Sequence, residues 1–137
     1  MNPLFVWLPA LNLVAVGFIY RWGTRSDLTA GVVFVAGMAL AMGLSLMAVP
    51  GLLVWCFLID VGLFLTIWLL AERARRWWMV AMAGFQLIAL LTYLAPWFAW
   101  ERLHWAFVTF HWVIGIMDSL CLIAAVFEVR WARQWGA

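Results

Sequence analysis

Long apolar runs, separated by short polar or turn-forming segments, dominate the sequence. We place these runs at about 4–20, 28–49, 52–71, 77–98 and 103–127. Each is close to the roughly 17–25 residues that cross the hydrocarbon core of a bilayer as a helix. The breaks between them fall at RWGTRSD, at Pro50-Gly51, at ERARR and at WER. The pattern predicts an all-α membrane protein, a bundle of five transmembrane helices that forms a single domain over residues 1–137.

Composition supports a membrane location. The chain is 69% hydrophobic and 10% charged, and its mean hydropathy is +1.08. A soluble domain is about half apolar and about a quarter charged. We therefore expect lipid to be the main solvent of this protein and a bilayer containing anionic lipids to be its partner, with no role for nucleic acid.

The distribution of arginine predicts the orientation. Five crossings place the segments RWGTRSD and ERARR on the same side of the membrane as the C-terminal tail. That side then carries seven of the eight arginines: Arg21, Arg25, Arg73, Arg75, Arg76, Arg130 and Arg133. The opposite side carries Arg102 alone. Cytoplasmic loops retain basic residues, so we expect a bacterial-type cytoplasmic (inner) membrane, with the N-terminus outside and the C-terminus in the cytoplasm.

The polar residues inside the predicted helices fall into two layers when their depth is counted at about 1.5 Å per residue. The layer nearer the outside contains Asn12, Asp60 and His111. The layer nearer the cytoplasm contains Gln86, Asp118 and Ser119. Since unpaired polar groups in hydrocarbon are costly, a shared depth would let such groups satisfy one another. We expect Asp60 to pair with His111, and Gln86 with Asp118.

Titratable residues also form a stripe along the last predicted helix. His104, His111 and Asp118 are seven residues apart, which is nearly two helical turns, so they share one face. Gly115 lies on that face, where it would let a neighbouring backbone come close. An aspartate at the centre of a membrane helix costs about 2.5–3.5 kcal/mol on insertion scales, so the stripe is expected to face the bundle interior.

Three interpretations of this stripe remain open. The first is a packing seam that fixes the register of the helices. The second is a path for protons or ions, and the third is the site of a prosthetic group. His104 and His111 lie about 10 Å apart on one helix and cannot both ligate one iron within a single chain. His111 alone stays open as a ligand of a pigment or haem, and we predict no metal site and no cofactor.

Two further segments indicate contacts with lipid or with other helices. At the predicted cytoplasmic boundary, arginines and indoles suited to anionic headgroups or a partner protein are Arg73, Arg75, Arg76, Trp77 and Trp78. The second predicted helix carries small residues in small-xxx-small spacing, with Gly37 and Ala41 as one pair and Ala39 and Gly43 as another. Such residues let helices pack closely, within one chain or between subunits.

No residue set typical of catalysis accompanies these features. We therefore expect a non-enzymatic accessory, scaffold or assembly subunit of a larger membrane complex or homo-oligomer. The alternative is a small proton-coupled transporter or ion channel that uses the Asp/His stripe, and a pigment-binding or haem-binding subunit is a third possibility.

Overall fold

The computed structural model describes the backbone of residues 4–47, 50–94 and 96–134, and the side chains of these ranges apart from 4–6, 96–105 and 107–108. It contains five helices in order: α1 (Leu4–Trp22), α2 (Arg25–Leu46), α3 (Leu52–Ala74), α4 (Trp77–Thr92) and α5 (Pro96–Gln134). The predicted all-helical bundle is thus confirmed.

Three helices of the described chain are long and apolar enough to cross a membrane. They are α2, α3 and the Thr109–Gln134 portion of α5. Helix α4 is also apolar but has only 16 residues. The structure therefore supports a membrane protein, whereas five crossings stay a prediction.

Local sequence explains where α2 and α3 begin and end. Thr24 caps α2 in a capping box, because its Oγ1 accepts from the backbone N–H of Asp27 while the Asp27 carboxylate accepts from the backbone N–H of Thr24. Gly51, with φ of +72°, precedes α3 in the left-handed region that glycine adopts without steric cost. Arg75 ends α3 in the same region, and its N–H donates to the carbonyl of Ala71.

The predicted boundaries of the last two helices were wrong. Helix α4 ends at Thr92 instead of residue 98, and α5 runs without a break through the WER segment to Gln134. The reason is that Trp, Glu and Arg are all compatible with a helix, while Pro96 favours a helix start because its fixed φ suits the first helical position. A charged segment in an apolar run marks polarity and does not by itself end a helix.

The helices form a closed ring in which each packs mainly on two others. Helix α1 contacts α2 and α5, and α3 contacts α2 and α4, while α4 contacts α5. Two contacts show that α1 and α5 are parallel: Asn12 bonds to Ser119, and ten residues further along α1 the ring of Trp22 lies 5.9 Å from the guanidinium of Arg130. Because the order of the contacts is the same on both helices, α1 and α5 run in the same direction.

The apolar core lies towards one end of this ring. We call the end with the α1–α2 and α3–α4 turns the inner end, and the opposite end the outer end. The core cluster is built around Ile19, Phe34, Ile67, Trp78, Met82 and Leu122. In contrast, the outer halves of α2 and α3 are largely exposed. Among the described residues, the tightest packing is therefore at the inner end.

Candidate functional site

Two adjacent residues of α5 connect it to helices on either side. Successive residues of an α-helix point about 100° apart, so Asp118 and Ser119 reach different neighbours. Gln86 Nε2 of α4 donates to Asp118 Oδ2 at 2.6 Å, and Asn12 Nδ2 of α1 donates to Ser119 Oγ at 3.1 Å. All four side chains are almost completely buried. This cluster is the buried polar centre of the described bundle.

Asn12 does not lie in the layer predicted for it. It was expected at the depth of Asp60 and His111, but it bonds to Ser119, and its Nδ2 also lies 3.5 Å from Met38 Sδ on α2. The depth count assumed that all helices start at a common level. Because α1 is displaced along its axis relative to α5, equal distances from the two predicted starts do not correspond to equal heights.

Three acceptor atoms of this centre have no hydrogen-bond partner among the described residues. They are Asn12 Oδ1, Gln86 Oε1 and Asp118 Oδ1. The hydroxyl of Ser119, in contrast, both accepts and donates a hydrogen bond. It accepts from Asn12 and donates to the carbonyl of Gly115, one turn earlier, at 2.8 Å. Buried polar atoms without partners are costly in low-dielectric surroundings. These three acceptors therefore lack hydrogen-bond donors that the described residues do not provide.

A second polar cluster joins α3, the end of α4 and α5. The hydroxyl of Tyr93 donates to Asp60 Oδ2 at 2.6 Å, and His111 Nε2 lies 3.9 Å from the same oxygen. The rings of Tyr93 and His111 meet edge to face with centroids 5.2 Å apart. Asp60 and His111 are therefore neighbours, as expected from their depth, and Asp60 is only partly buried.

Tyr93 was not recognised from the sequence. It directly follows α4 and lies within the range 77–98 predicted for that helix. Its ring counts as apolar in a hydropathy pattern, but its hydroxyl needs a hydrogen-bond partner when buried. A usable signal was present, since the chain has only two tyrosines. The side chain of His104, the third member of the predicted stripe, lies outside the described residues.

An ionic cluster lies at the inner end and joins three parts of the ring. Arg76, between α3 and α4, has its Nε 3.6 Å from Asp27 Oδ1 on α2 and its Nη1 3.8 Å from Glu128 Oε1 on α5. The backbone of Trp77 and Trp78 at the start of α4 also interacts with the Glu128 carboxylate. The positive potential at the N-terminus of α4 offsets part of the cost of burying this carboxylate.

This inner cluster corrects part of the predicted lipid-contact set. Arg73, Arg75 and Trp77 are exposed, as a headgroup contact requires, but Arg76 points into the bundle and Trp78 is completely buried. Trp77 and Trp78 point about 100° apart around α4, and here Trp77 faces outwards while Trp78 is buried. Asp27 and Glu128 were missed because each was assigned to a boundary segment.

The small residues of α2 separate into two faces. A Cβ atom added at Gly37 would come within 2.8 Å of Leu63 on α3, so Gly37 provides the space for that contact. Ala41, one turn later, is partly buried, whereas Ala39 is exposed and no described atom lies within 4 Å of a Cβ at Gly43. No described atom lies within 4 Å of a Cβ at Gly115 either, so the described residues do not make the close approach expected there.

The described side chains contain no group of three or more His, Cys, Asp or Glu residues placed to hold a metal ion. A pigment or haem on His111 was not predicted and stays an untested alternative. Comparison with known protein families, with curated proteins and with solved structures finds no match to this chain.

Proposed function

We propose that this chain is a non-enzymatic accessory or assembly subunit of a bacterial-type inner-membrane complex, either a hetero-complex or a homo-oligomer. In this proposal it crosses the bilayer five times, with the N-terminus outside and the C-terminus in the cytoplasm. The positive charge at the inner end is consistent with that orientation, because basic residues accumulate on the cytoplasmic side.

The observation that carries the proposal is the division of α2 into a used and an unused small-residue face. Gly37 packs on Leu63 within the chain, while Ala39 and Gly43 point away from it. Residues 37 and 39 are separated by about 200° around a helix. Small-xxx-small faces allow two membrane helices to approach closely, so the outward face is suited to a helix from another subunit.

The surroundings of that face also support association. The outer half of the α2–α3 hairpin exposes large apolar side chains: Leu40, Leu46, Met47, Trp55, Phe57 and Leu58. In the most apolar stretch of each helix, 17% of the residues are buried in α2 and in α3, but 39% in α5. The hairpin thus leaves more of its apolar surface uncovered than α5 does.

Association is tested with a bulky side chain on the outward face. We expect Ala39→Phe and Gly43→Phe to weaken the native complex by about tenfold or more, or about 1.4 kcal/mol, because the ring prevents close helix approach. The matched control is Gly84→Phe on α4, which also adds a ring at an exposed glycine with open space around it. The measurement is the mass of the particle extracted from native membranes into lipid nanodiscs.

Two results would contradict the assembly role. One is a wild-type particle that contains a single chain and no other protein at every expression level. The other is equal disruption by Gly84→Phe and Gly43→Phe, which would indicate general damage to the bundle and no specific interface on α2.

A second candidate function rests on the cluster of Asp60, Tyr93 and His111. A carboxyl, a phenol and an imidazole from three parts of the ring meet within one apolar bundle, and such groups are typical of proton pathways in membranes. On this alternative the chain is a small proton-coupled transporter or ion channel.

Ion movement is measured directly in proteoliposomes loaded with a pH-sensitive dye. The alternative predicts proton flux that is strongly reduced by Asp60→Asn and unaffected by Glu72→Gln, an exposed acid near the end of α3. Flux that depends on Asp60 would favour the transporter over the assembly subunit, and the absence of any flux above protein-free liposomes would contradict the alternative.

A further inference from the structure

The pair formed by Gln86 and Asp118 is incompletely hydrogen bonded. Both side chains are buried, with 4% and 1% of their surface exposed, and one hydrogen bond from Nε2 to Oδ2 joins them. The remaining oxygens, Gln86 Oε1 and Asp118 Oδ1, are buried and have no partner among the described residues. An amide oxygen and a carboxylate oxygen are both acceptors, so neither can satisfy the other without a proton.

An ionised Asp118 would be poorly stabilised in this position. The ion pairs of Arg76 in the described chain are made with Asp27 and Glu128, and not with Asp118. A buried carboxylate with one amide donor and no cationic partner is strongly disfavoured, because it has lost its hydration without compensation.

The groups around Asp118 do not supply the missing charge. Helix α4 presents Gln86, and α1 presents Asn12, whose amide donates to Ser119 and not to Asp118. Helix α3 carries Asp60, which is itself an acid and cannot neutralise a carboxylate. On α5 itself, Cys121 is buried one turn away.

We propose that Asp118 and Gln86 form a proton-binding site in which Asp118 Oδ1 carries the proton and donates it to Gln86 Oε1. The two planar groups then form a reciprocal carboxylic acid–amide pair, with Gln86 donating to Oδ2 and Asp118 donating to Oε1. A single proton between Asp118 Oδ1 and Gln86 Oε1 thereby gives both atoms a hydrogen-bond partner and neutralises the buried carboxylate. This inference goes beyond the assembly role and does not depend on it.

A proton fits this site better than a metal cation. Hard cations require about six or more oxygen ligands, whereas the pair offers two unpartnered oxygens and a proton shared between them requires two. A cation bound through waters is the competing occupant, and the experiment separates the two.

The test is infrared spectroscopy of the full chain in lipid nanodiscs at near-neutral pH. The protonated carboxyl gives a C=O stretch above the amide bands that shifts in D₂O. We expect Asp118→Asn to lose this band, since the asparagine can form an amide–amide pair with Gln86 and preserve the packing. The matched control Asp60→Asn should retain the band.

A second variant keeps the test decisive if Asp118→Asn folds poorly. Gln86→Leu removes the amide, so the C=O of a protonated Asp118 should lose a hydrogen bond and its band should move to higher frequency. The proposal is overturned if the wild-type and Asp118→Asn spectra are the same in this region, or if Gln86→Leu leaves the band unmoved. It is also overturned if the band is absent in sodium or potassium salt and emerges when those ions are removed.

Discussion

Asp118 and Ser119 show how adjacent residues of one helix can fix the positions of two neighbours. Each bonds to an amide from a different helix, Gln86 on α4 and Asn12 on α1. Hydrogen bonds between membrane helices stabilise by about 0.6 kcal/mol on average and about 1.7 kcal/mol at most. Their larger effect is on geometry, because a helix that slides or rotates leaves polar atoms unsatisfied in an apolar interior.

The Asn12–Ser119 bond gives a prediction at the scale of one residue. Ser119→Ala should lower the free energy of unfolding by about 0.5–1.5 kcal/mol, because the Asn12 amide loses its oxygen acceptor while remaining buried. Reversible unfolding in bicelles provides the measurement. Ser45→Ala is the matched control at an exposed position of α2, and equal effects of the two substitutions would contradict a role for the bond.

At the scale of elements, α2 and α3 pack through a glycine. Gly37→Leu should destabilise the monomeric bundle by about 1–3 kcal/mol, because the added side chain must displace Leu63. Gly43→Leu, on the other face of the same helix, should leave the stability of the monomer nearly unchanged. The comparison is made by thermal unfolding in a detergent that keeps the protein monomeric, and a reversed order would show that the two faces are wrongly assigned.

The inner ionic cluster joins elements that are distant in sequence. Arg76 lies between an acid on α2 and an acid on α5 and contributes the positive charge that both face. Removing one partner of a buried ion pair costs about 3–5 kcal/mol. Because Arg76 is itself partly exposed, water would screen part of that effect.

Arg76→Met should therefore reduce stability by about 1–3 kcal/mol, since it leaves Asp27 and Glu128 without their shared cation. Arg73→Met removes the same charge at an exposed position and should have little effect. The measurement is the unfolding midpoint of each variant in the same lipid mixture. Equal midpoints for the two variants would contradict a specific contribution of the ionic cluster to stability.

Helix α5 is longer than a bilayer requires. Its 39 residues span about 58 Å at about 1.5 Å per residue, against a hydrocarbon core of about 30 Å. If the chain crosses a bilayer as proposed, α5 extends beyond the hydrocarbon even when tilted. The apolar run does not predict this length, because the helix continues beyond both ends of the run, into polar residues.

At the scale of the whole molecule, the sequence predicted the class of fold and several neighbours, but not their axial offsets. Apolar runs and the Pro50-Gly51 turn located α2 and α3 to within a few residues, and polar depth placed Gln86 beside Asp118. Asn12 was misplaced because depth counting cannot include the offset of one helix against another. Glu128 was missed because the predicted fifth helix ended at residue 127, and Tyr93 was missed because the predicted fourth helix continued past it to residue 98.

The ring arrangement connects these findings. Parallel α1 and α5 close the ring, so the buried amides of α1 and α4 meet α5 from both sides. An odd number of crossings is the arrangement in which the first and last helices of a sequential bundle run in the same direction. If each helix of the ring crosses the bilayer once, this topology places the two chain ends on opposite sides of the membrane.

That topology is tested most directly by labelling single cysteines with a membrane-impermeant thiol reagent in intact cells. With Cys56→Ala and Cys121→Ala as the background, Asn2→Cys and Met47→Cys should react from outside, and Arg73→Cys and Arg133→Cys should react only after permeabilisation. Labelling of Asn2→Cys and Arg133→Cys from the same side would contradict an odd number of crossings and, with it, the proposed membrane arrangement of the ring.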